Sequence, residues 1–183
     1  RLRSHPSVVM FLYSSDELPP PDVEGMYLQV FADEAWGVPT VAAASYRTSK
    51  LTGNVTGVKM TGPYGWVPPT FWTDPRGISN DYGAAWGFIT ETSPGGSPLT
   101  LESFERVVEP DQRWDDGPTD TWNYHCGSSH GAFGSLSHFT PALEARLGNA
   151  TSAADYLLKA QVEAYESHRA MFEGYSGSKY NAT

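Results

Sequence analysis

The stretch Ala85-Trp86-Gly87-Phe88-Ile89-Thr90-Glu91-Thr92-Ser93-Pro94-Gly95 limits what this chain can fold into more than any other. Its first half is a short apolar run, rich in aromatic and β-branched residues. It is too short for a helix before Pro94 and Gly95, so it predicts a buried strand over 85–90. One carboxylate, Glu91, falls where that strand ends. A Ser-Pro-Gly turn follows, and a helical pattern begins a few residues later. In barrels of alternating strands and helices, the side chains at the C-terminal ends of strands do the chemistry. Glu91 therefore reads as a nucleophile or general acid held by a rigid strand. The alternative is a turn glutamate facing water.

A second segment has the same grammar. Val8-Val9-Met10-Phe11-Leu12-Tyr13 predicts a strand, Ser14-Ser15-Asp16-Glu17 brings carboxylates to its end, and Pro19-Pro20-Pro21 turns the chain into a helix. Two strands ending in carboxylates, with two more strand-like runs between them, suggest the paired acids of a glycoside hydrolase. Glu17 directly follows Asp16. Successive side chains on an extended chain point to opposite faces, so only one of the pair can face a substrate.

Taken in order, the chain alternates. Pro21-Asp22 opens a helix, with Asp22 as the expected N-cap and Gly37 as its stop. Val23, Met26, Tyr27, Val30 and Phe31 fall on one face of it at helical spacing. Val38–Ala44 predicts a strand that ends in small residues, where bulky ones would crowd the mouth of a barrel. Residues 46–55 form a polar loop, and Val58–Trp66 is strand-like. The segment Val67-Pro68-Pro69-Thr70-Phe71-Trp72 is a loop, since proline cannot donate to a sheet ladder. Tyr64, Trp66, Phe71 and Trp72 crowd this region. They read either as a wall on which sugar rings stack or as packing of the loop onto the body of the protein.

Ser97-Pro98 predicts the cap and first position of the next helix, with Leu101, Phe104, Val107 and Val108 inward. A turn-rich loop, 110–121, leads to Trp122-Asn123-Tyr124-His125. A short helix is expected over Pro141–Leu147. Ser152-Ala-Ala-Asp155 is a capping box with Asp in place of Glu. It starts a long helix through Phe172, with Leu157, Ala160, Ala164, His168 and Met171 inward and Gly174 as its stop. His125, His130 and His138 raise the question of zinc, but the first two sit near a Gly/Ser loop without a nearby carboxylate, so no metal and no cofactor are expected. The succession of strands and helices is one interrupted α/β unit, with no repeats or internal linkers.

Several motifs in matching order carry a resemblance. Arg3-x-His5-Pro6-Ser7-Val8-Val9, Ser15-Asp16-Glu17, Lys59-Met60-x-Gly62-Pro63-Tyr64-x-Trp66-Val67-Pro68-Pro69, Phe88-x-Thr90-Glu91-Thr92-Ser93-Pro94-Gly95 and Trp122-Asn123-Tyr124-His125 resemble the exo-β-D-glucosaminidase branch of the second glycoside hydrolase family, whose relatives include β-mannosidases and β-galactosidases. The resemblance implies that residues 1–183 are part of a single (β/α)8 (TIM) barrel catalytic domain. They would supply its strands four to seven with their helices, flanked in the parent chain by β-sandwich domains. It implies Glu91 as nucleophile and Asp16 as acid/base of a retaining mechanism, with chitosan or its oligosaccharides as substrate. Ser15, Tyr64, Trp66, Trp72, Trp122 and His125 are the candidate substrate-binding residues. Relatives that cleave galactosides or mannosides have Asn-Glu where this chain has Ser15-Asp16. The shorter Asp leaves room, beside a compact Ser15, for a 2-ammonium group. Ser14 stands where the family usually has Gly. A β-mannosidase-type retaining enzyme and a non-catalytic carbohydrate-binding relative remain as alternatives.

The chain has 183 residues, 39% of them hydrophobic, which suffices for one ordinary core. A complete (β/α)8 barrel needs roughly 250 residues, so this is expected to be an internal piece of a longer enzyme. The net charge of −9 argues against a nucleic-acid partner and suits a cationic substrate. No stretch has the length of a membrane-spanning helix. Cys126 is the single cysteine, so no internal disulfide can form. The sequons at Asn54, Asn149 and Asn181 lead to the expectation of a secreted glycoprotein.

Overall fold

The protein is described by a computed structural model covering residues 4–73, 85–94, 98–125 and 136–179. Gly95, Ser97, Cys126, His130 and Asn181 lie outside the described residues, and so do the expectations placed on them. The chain divides into two compact units, Arg1–Thr61 with Gly87–Thr92, and Gly62–Trp86 with Ser93–Thr183.

In the first unit the Val8–Tyr13 run gives strand β1, Phe11–Leu12, and the Val38–Ala44 run gives β2, Thr40–Val41. They pair in parallel, Phe11 opposite Thr40 and Leu12 opposite Val41. Single hydrogen bonds carry the association further, from Phe11 N to Pro39 O (2.9 Å), Tyr13 N to Val41 O (3.1 Å) and Ala44 N to Ser15 O (2.7 Å). The regular strands are shorter than expected, partly because Pro39 has no N–H for a ladder.

Helix α1, Pro21–Asp33, makes the crossover between them. Pro21 occupies its first position, where a missing N–H costs nothing. Pro20, not Asp22, stands at the N-cap, with no side-chain cap. Asp22 instead lies in the first turn, where its charge meets the positive end of the helix dipole. The helix stops before Gly37, because Ala35 takes a positive φ of 47° and turns the chain.

The face that α1 buries is also narrower than the sequence suggests. Tyr27 and Phe31 pack on Tyr13 and Phe11, with ring centroids 5.1 Å apart for Tyr13–Tyr27 and 5.8 Å for Phe11–Phe31. Glu24 is buried beside them and accepts the Tyr13 hydroxyl at 3.2 Å. Val23, Met26 and Val30 stay exposed, and Tyr27 keeps part of its ring in solvent.

The two later strand-like runs meet at one parallel pair, Lys59 and Ile89, bonded from Lys59 N to Phe88 O and from Thr90 N to Lys59 O, each 3.0 Å. Positive φ at Gly87 and Gly62 breaks the extended backbone on either side of that pairing.

The second unit is helical. Helix α2, Thr70–Thr73, replaces the loop expected after Pro68-Pro69. Helix α3, Leu101–Val107, starts three residues later than expected and is capped by Thr100, whose hydroxyl accepts Ser103 N at 3.3 Å. It buries Phe104 and Val108 and leaves Leu101 and Val107 exposed. A 3-10 turn over Pro110–Gln112 and helix α4, Asp120–His125, follow. Helix α5, Leu136–Leu147, begins before Pro141 and contains it.

Helix α6, Ala153–Ser178, is capped as its sequence predicts, with Ser152 Oγ accepting Asp155 N at 3.2 Å. The reciprocal bond lands one residue earlier, on Thr151 N. The helix runs through Gly174, which is a packing residue and not a stop.

Two apolar clusters hold this unit together. One gathers Phe104, Val108, Trp122, Phe139, Leu143, Tyr156, Leu157 and Ala160. The other gathers Phe71, Trp72, Ala85 and Ala170.

Candidate active site

Ser15, Asp16 and Glu91 belong to the first unit, and Ala44 at the end of the β2 segment joins them. Its N–H donates to Ser15 O (2.7 Å), and its carbonyl accepts Thr90 Oγ1 (2.6 Å). Ser15 and Thr90 are the residues immediately before Asp16 and Glu91. One residue's main chain therefore ties together the two points from which the candidate carboxylates project. Ser45, next in sequence and buried, donates its hydroxyl to Asp16 O. Thr90 Oγ1 also lies 3.2 Å from Lys59 O, which anchors the Glu91 segment to its parallel neighbour. Asp16 and Glu91 are both exposed beyond these anchored backbones.

The structure separates Asp16 from Glu17. Glu17 is gripped by Arg47 through both arms of the guanidinium, Nε to Oε2 at 2.7 Å and Nη2 to Oε1. That hydrogen bonding, with the Arg47 charge behind it, holds the Glu17 carboxyl below the usual carboxylate range. The guanidinium pKa is raised in turn, chiefly by the hydrogen bond to Glu17, and the charges of Glu17 and Asp16 both add to it. Among the described residues, the hydrogen bond to the Asp16 carboxylate comes from a neutral donor, Ser15 Oγ, at 2.7 Å. Ser14 closes the turn by donating to Glu17 O at 2.7 Å, a local bond available to a hydroxyl and not to glycine.

Arg47 comes from a hairpin that the sequence shows only as a polar loop. Thr48 and Val55 pair antiparallel, and Thr56 Oγ1 donates to Ser45 O at 2.7 Å while accepting Arg47 N at 3.1 Å. Ser45, Arg47 and Thr90 escape sequence reasoning because each acts through a hydrogen bond to a residue 29 to 46 positions away. Among them, only the position of Thr90 beside Glu91 offers any signal.

The aromatic candidates fall in the second unit. Trp72 is 2% exposed and packs against Phe71 and Tyr175. Trp122 is 3% exposed, sits among Phe104, Trp114 and Tyr156, and donates its indole N–H to Arg113 O at 2.7 Å. Neither ring offers a free face for a sugar, so both are core residues, and the packing reading of that aromatic surface applies to them. Phe71 is buried in the same way.

Tyr64 and Trp66 are half-buried. Trp66 donates its indole N–H to Glu163 Oε1 at 3.1 Å. Glu163, fully buried on α6, is neutralised by Arg146 from α5, which also reaches Glu166. The pair thus pins the aromatic loop to two helices. His125 is exposed at the end of α4, beside Tyr124, and His138 lies on α5. His168 bonds within its own helix, Nδ1 lying 2.7 Å from Ala164 O.

No protein-family model matches the chain. It is 40% identical over 186 aligned residues to an exo-β-D-glucosaminidase of Streptomyces avermitilis, covering 100% of this chain and 20% of the relative. Identity is 38% to the exo-β-D-glucosaminidase of Amycolatopsis orientalis, covering 100% of this chain and 17% of the relative. For that of Hypocrea virens it is 36%, covering 96% and 20%. The solved structure of the Amycolatopsis orientalis exo-chitosanase CsxA superposes with a TM-score of 0.78 at 35% identity, over 96% of this chain and 20% of that one. Complexes of that enzyme with PNP-β-D-glucosamine include an aspartate-to-alanine and a glutamate-to-alanine variant. The chain spans about a fifth of the length of these relatives.

Proposed function

We propose, from the premise that this chain is homologous along its whole length to exo-β-D-glucosaminidases, that it carries both catalytic carboxylates of a retaining glycoside hydrolase. The reaction is removal of β-1,4-linked glucosamine from the non-reducing end of chitosan or its oligosaccharides. The observation that carries this reading is the main chain of Ala44, which bonds to the residue preceding Asp16 and to the residue preceding Glu91.

Glu91 attacks the anomeric carbon while Asp16 protonates the departing glycosidic oxygen. A covalent glycosyl–enzyme forms, and Asp16, now a carboxylate, takes a proton from the water that cleaves it. Asp16 suits the proton role because, among the described residues, its carboxyl is hydrogen-bonded by the neutral Ser15 hydroxyl, whereas the Glu17 carboxyl is ion-paired with Arg47. The exposed carboxylates and the net charge of −9 favour a cationic sugar.

The β1–α1–β2 crossover and the parallel Lys59–Ile89 pairing support the (β/α)8 barrel, of which these residues form strands four to seven. Asn54 and Asn149 are exposed, which supports glycosylation of a secreted enzyme.

Substitution in the parent enzyme tests the assignment. Glu91→Gln should nearly abolish turnover on every substrate, since no covalent intermediate forms. Asp16→Asn should slow cleavage of chitosan oligosaccharides on the order of 10²- to 10⁴-fold, the usual contribution of a general acid. Aryl glucosaminides with good leaving groups should keep far more of their first-step rate. Ordinary activity in Glu91→Gln would remove Glu91 as the nucleophile. A larger loss from Glu17→Gln than from Asp16→Asn would move the acid/base role to Glu17.

A further inference from the structure

We propose that Arg47 is a positioning residue for the Asp16 carboxyl: its grip on Glu17 keeps the neighbouring acid out of the site and fixes the turn from which Asp16 projects. This rests on Asp16 being the acid/base. Asp16 and Glu17 are consecutive carboxylates on one short turn, and nothing in their chemistry decides which of them meets the glycosidic oxygen. The structure decides it from outside the turn. The Arg47 fork matches the Glu17 carboxylate with two parallel bonds, and Arg47 Nη1 donates to Tyr46 O at 2.9 Å, so the fork is itself braced.

Two further bonds hold the same turn, Ser45 Oγ to Asp16 O and Ser14 Oγ to Glu17 O. The hairpin that supplies Ser45 and Arg47 is closed by the Thr48–Val55 pairing and by Thr56. It therefore acts as a clasp on the acid-bearing turn.

Among the described residues, the charged groups linked to Asp16 within its unit are Glu17 on the same turn and Arg47 on the hairpin, with Glu91 at the end of the segment joined through Ala44 and the buried Lys59 on the stretch paired to that segment. Tyr13, three residues earlier, is bonded to Glu24 of α1. Loss of Arg47 removes a positive charge from this group and frees the negative charge of Glu17 beside Asp16. Both changes favour the protonated form of Asp16. Protonation of the leaving group survives to higher pH, whereas proton removal from water in the second step suffers. Glu17 and Arg47 both reach solvent, so screening keeps the shift moderate.

The test uses the parent enzyme and pH–rate profiles on an aryl glucosaminide and a chitosan oligosaccharide. Arg47→Gln should move the basic limb of kcat/KM upward and lower kcat several-fold. Adding Glu17→Gln to that variant should return at least half of the shift, because the freed charge is gone. Arg47→Lys, which keeps the charge and loses the fork, should leave the limb near its original position while kcat falls. A profile of Arg47→Gln that superimposes on the parent's, or a shift that Glu17→Gln does not reverse, overturns the proposal and leaves the acid/base reading standing. Asp16→Asn should abolish the basic limb. A limb that persists in that variant sinks the acid/base assignment and this proposal with it.

Discussion

Lys59 sits under electrostatic tension in the first unit. It is 9% exposed, and burial lowers its pKa from the ordinary 10.5 to about 8. The charged ammonium is therefore disfavoured in the fold. Below pH 8 the lysine is protonated in folded and unfolded chains alike, and the penalty is fully present. Between about pH 8 and 10.5 the folded chain loses its proton first. The unfolded state then binds more protons, and stability rises with pH. In urea titrations of the parent enzyme, the midpoint difference between Lys59→Met and the unaltered protein should therefore shift in favour of the unaltered protein from pH 7 to pH 10. A difference of equal size at both pH values would show that Lys59 does not lose its proton more easily in the folded chain. Residue identity alone misleads most over tryptophan. A sugar-stacking Trp and a core Trp are the same letter, and only the rings around Trp72 and Trp122 distinguish them.

Gly174 sets how closely α2 and α6 approach. A Cβ at this position would lie 2.6 Å from Trp72 O and 3.1 Å from Ala85 Cβ. Alanine favours a helix interior over glycine by about 1 kcal/mol, but overpacking against a backbone carbonyl costs about 1–3 kcal/mol. Overpacking wins, because a carbonyl cannot swing aside as a flexible side chain can. Gly174→Ala should therefore lower the thermal midpoint. Gly177→Ala, on the same helix with nothing within 4 Å, should leave it unchanged or raise it. Equal effects at the two positions would refute the packing role. The contrast also marks how far elements are legible in sequence. The Ser152 cap and the inward Leu157 and Ala160 are readable, because a hydroxyl three residues before an acid is local chemistry. The continuation through Gly174 is not, since a glycine that admits a neighbour and one that ends a helix look alike. For the same reason α1 gives way at Ala35 without a sequence signal. The carboxylate-bearing turns are readable from their apolar runs and prolines, whereas the hairpin that clasps one of them is not.

At the scale of the whole molecule, several large apolar side chains of the first unit lie open to solvent. Val9 is 75% exposed, Met26 69% and Phe88 57%, with Val23 and Val30 beside Met26 on the outer face of α1. The chain also spans only about a fifth of the length of its relatives. Expressed alone, the 183-residue polypeptide should bind a hydrophobic dye strongly, self-associate and hydrolyse no glucosaminide. A monomer with a sharp unfolding transition and low dye binding would show that these faces need no cover. The bonds of Ala44 have a further consequence for inheritance. Its links to Ser15 and Thr90 run through its main-chain N–H and carbonyl, which nearly every residue possesses. Alanine scanning would pass over the position, and descendants could exchange the residue for another small one without loosening the links to Ser15 and Thr90. Proline, which alone lacks the N–H, is the letter that such a lineage has reason to avoid there.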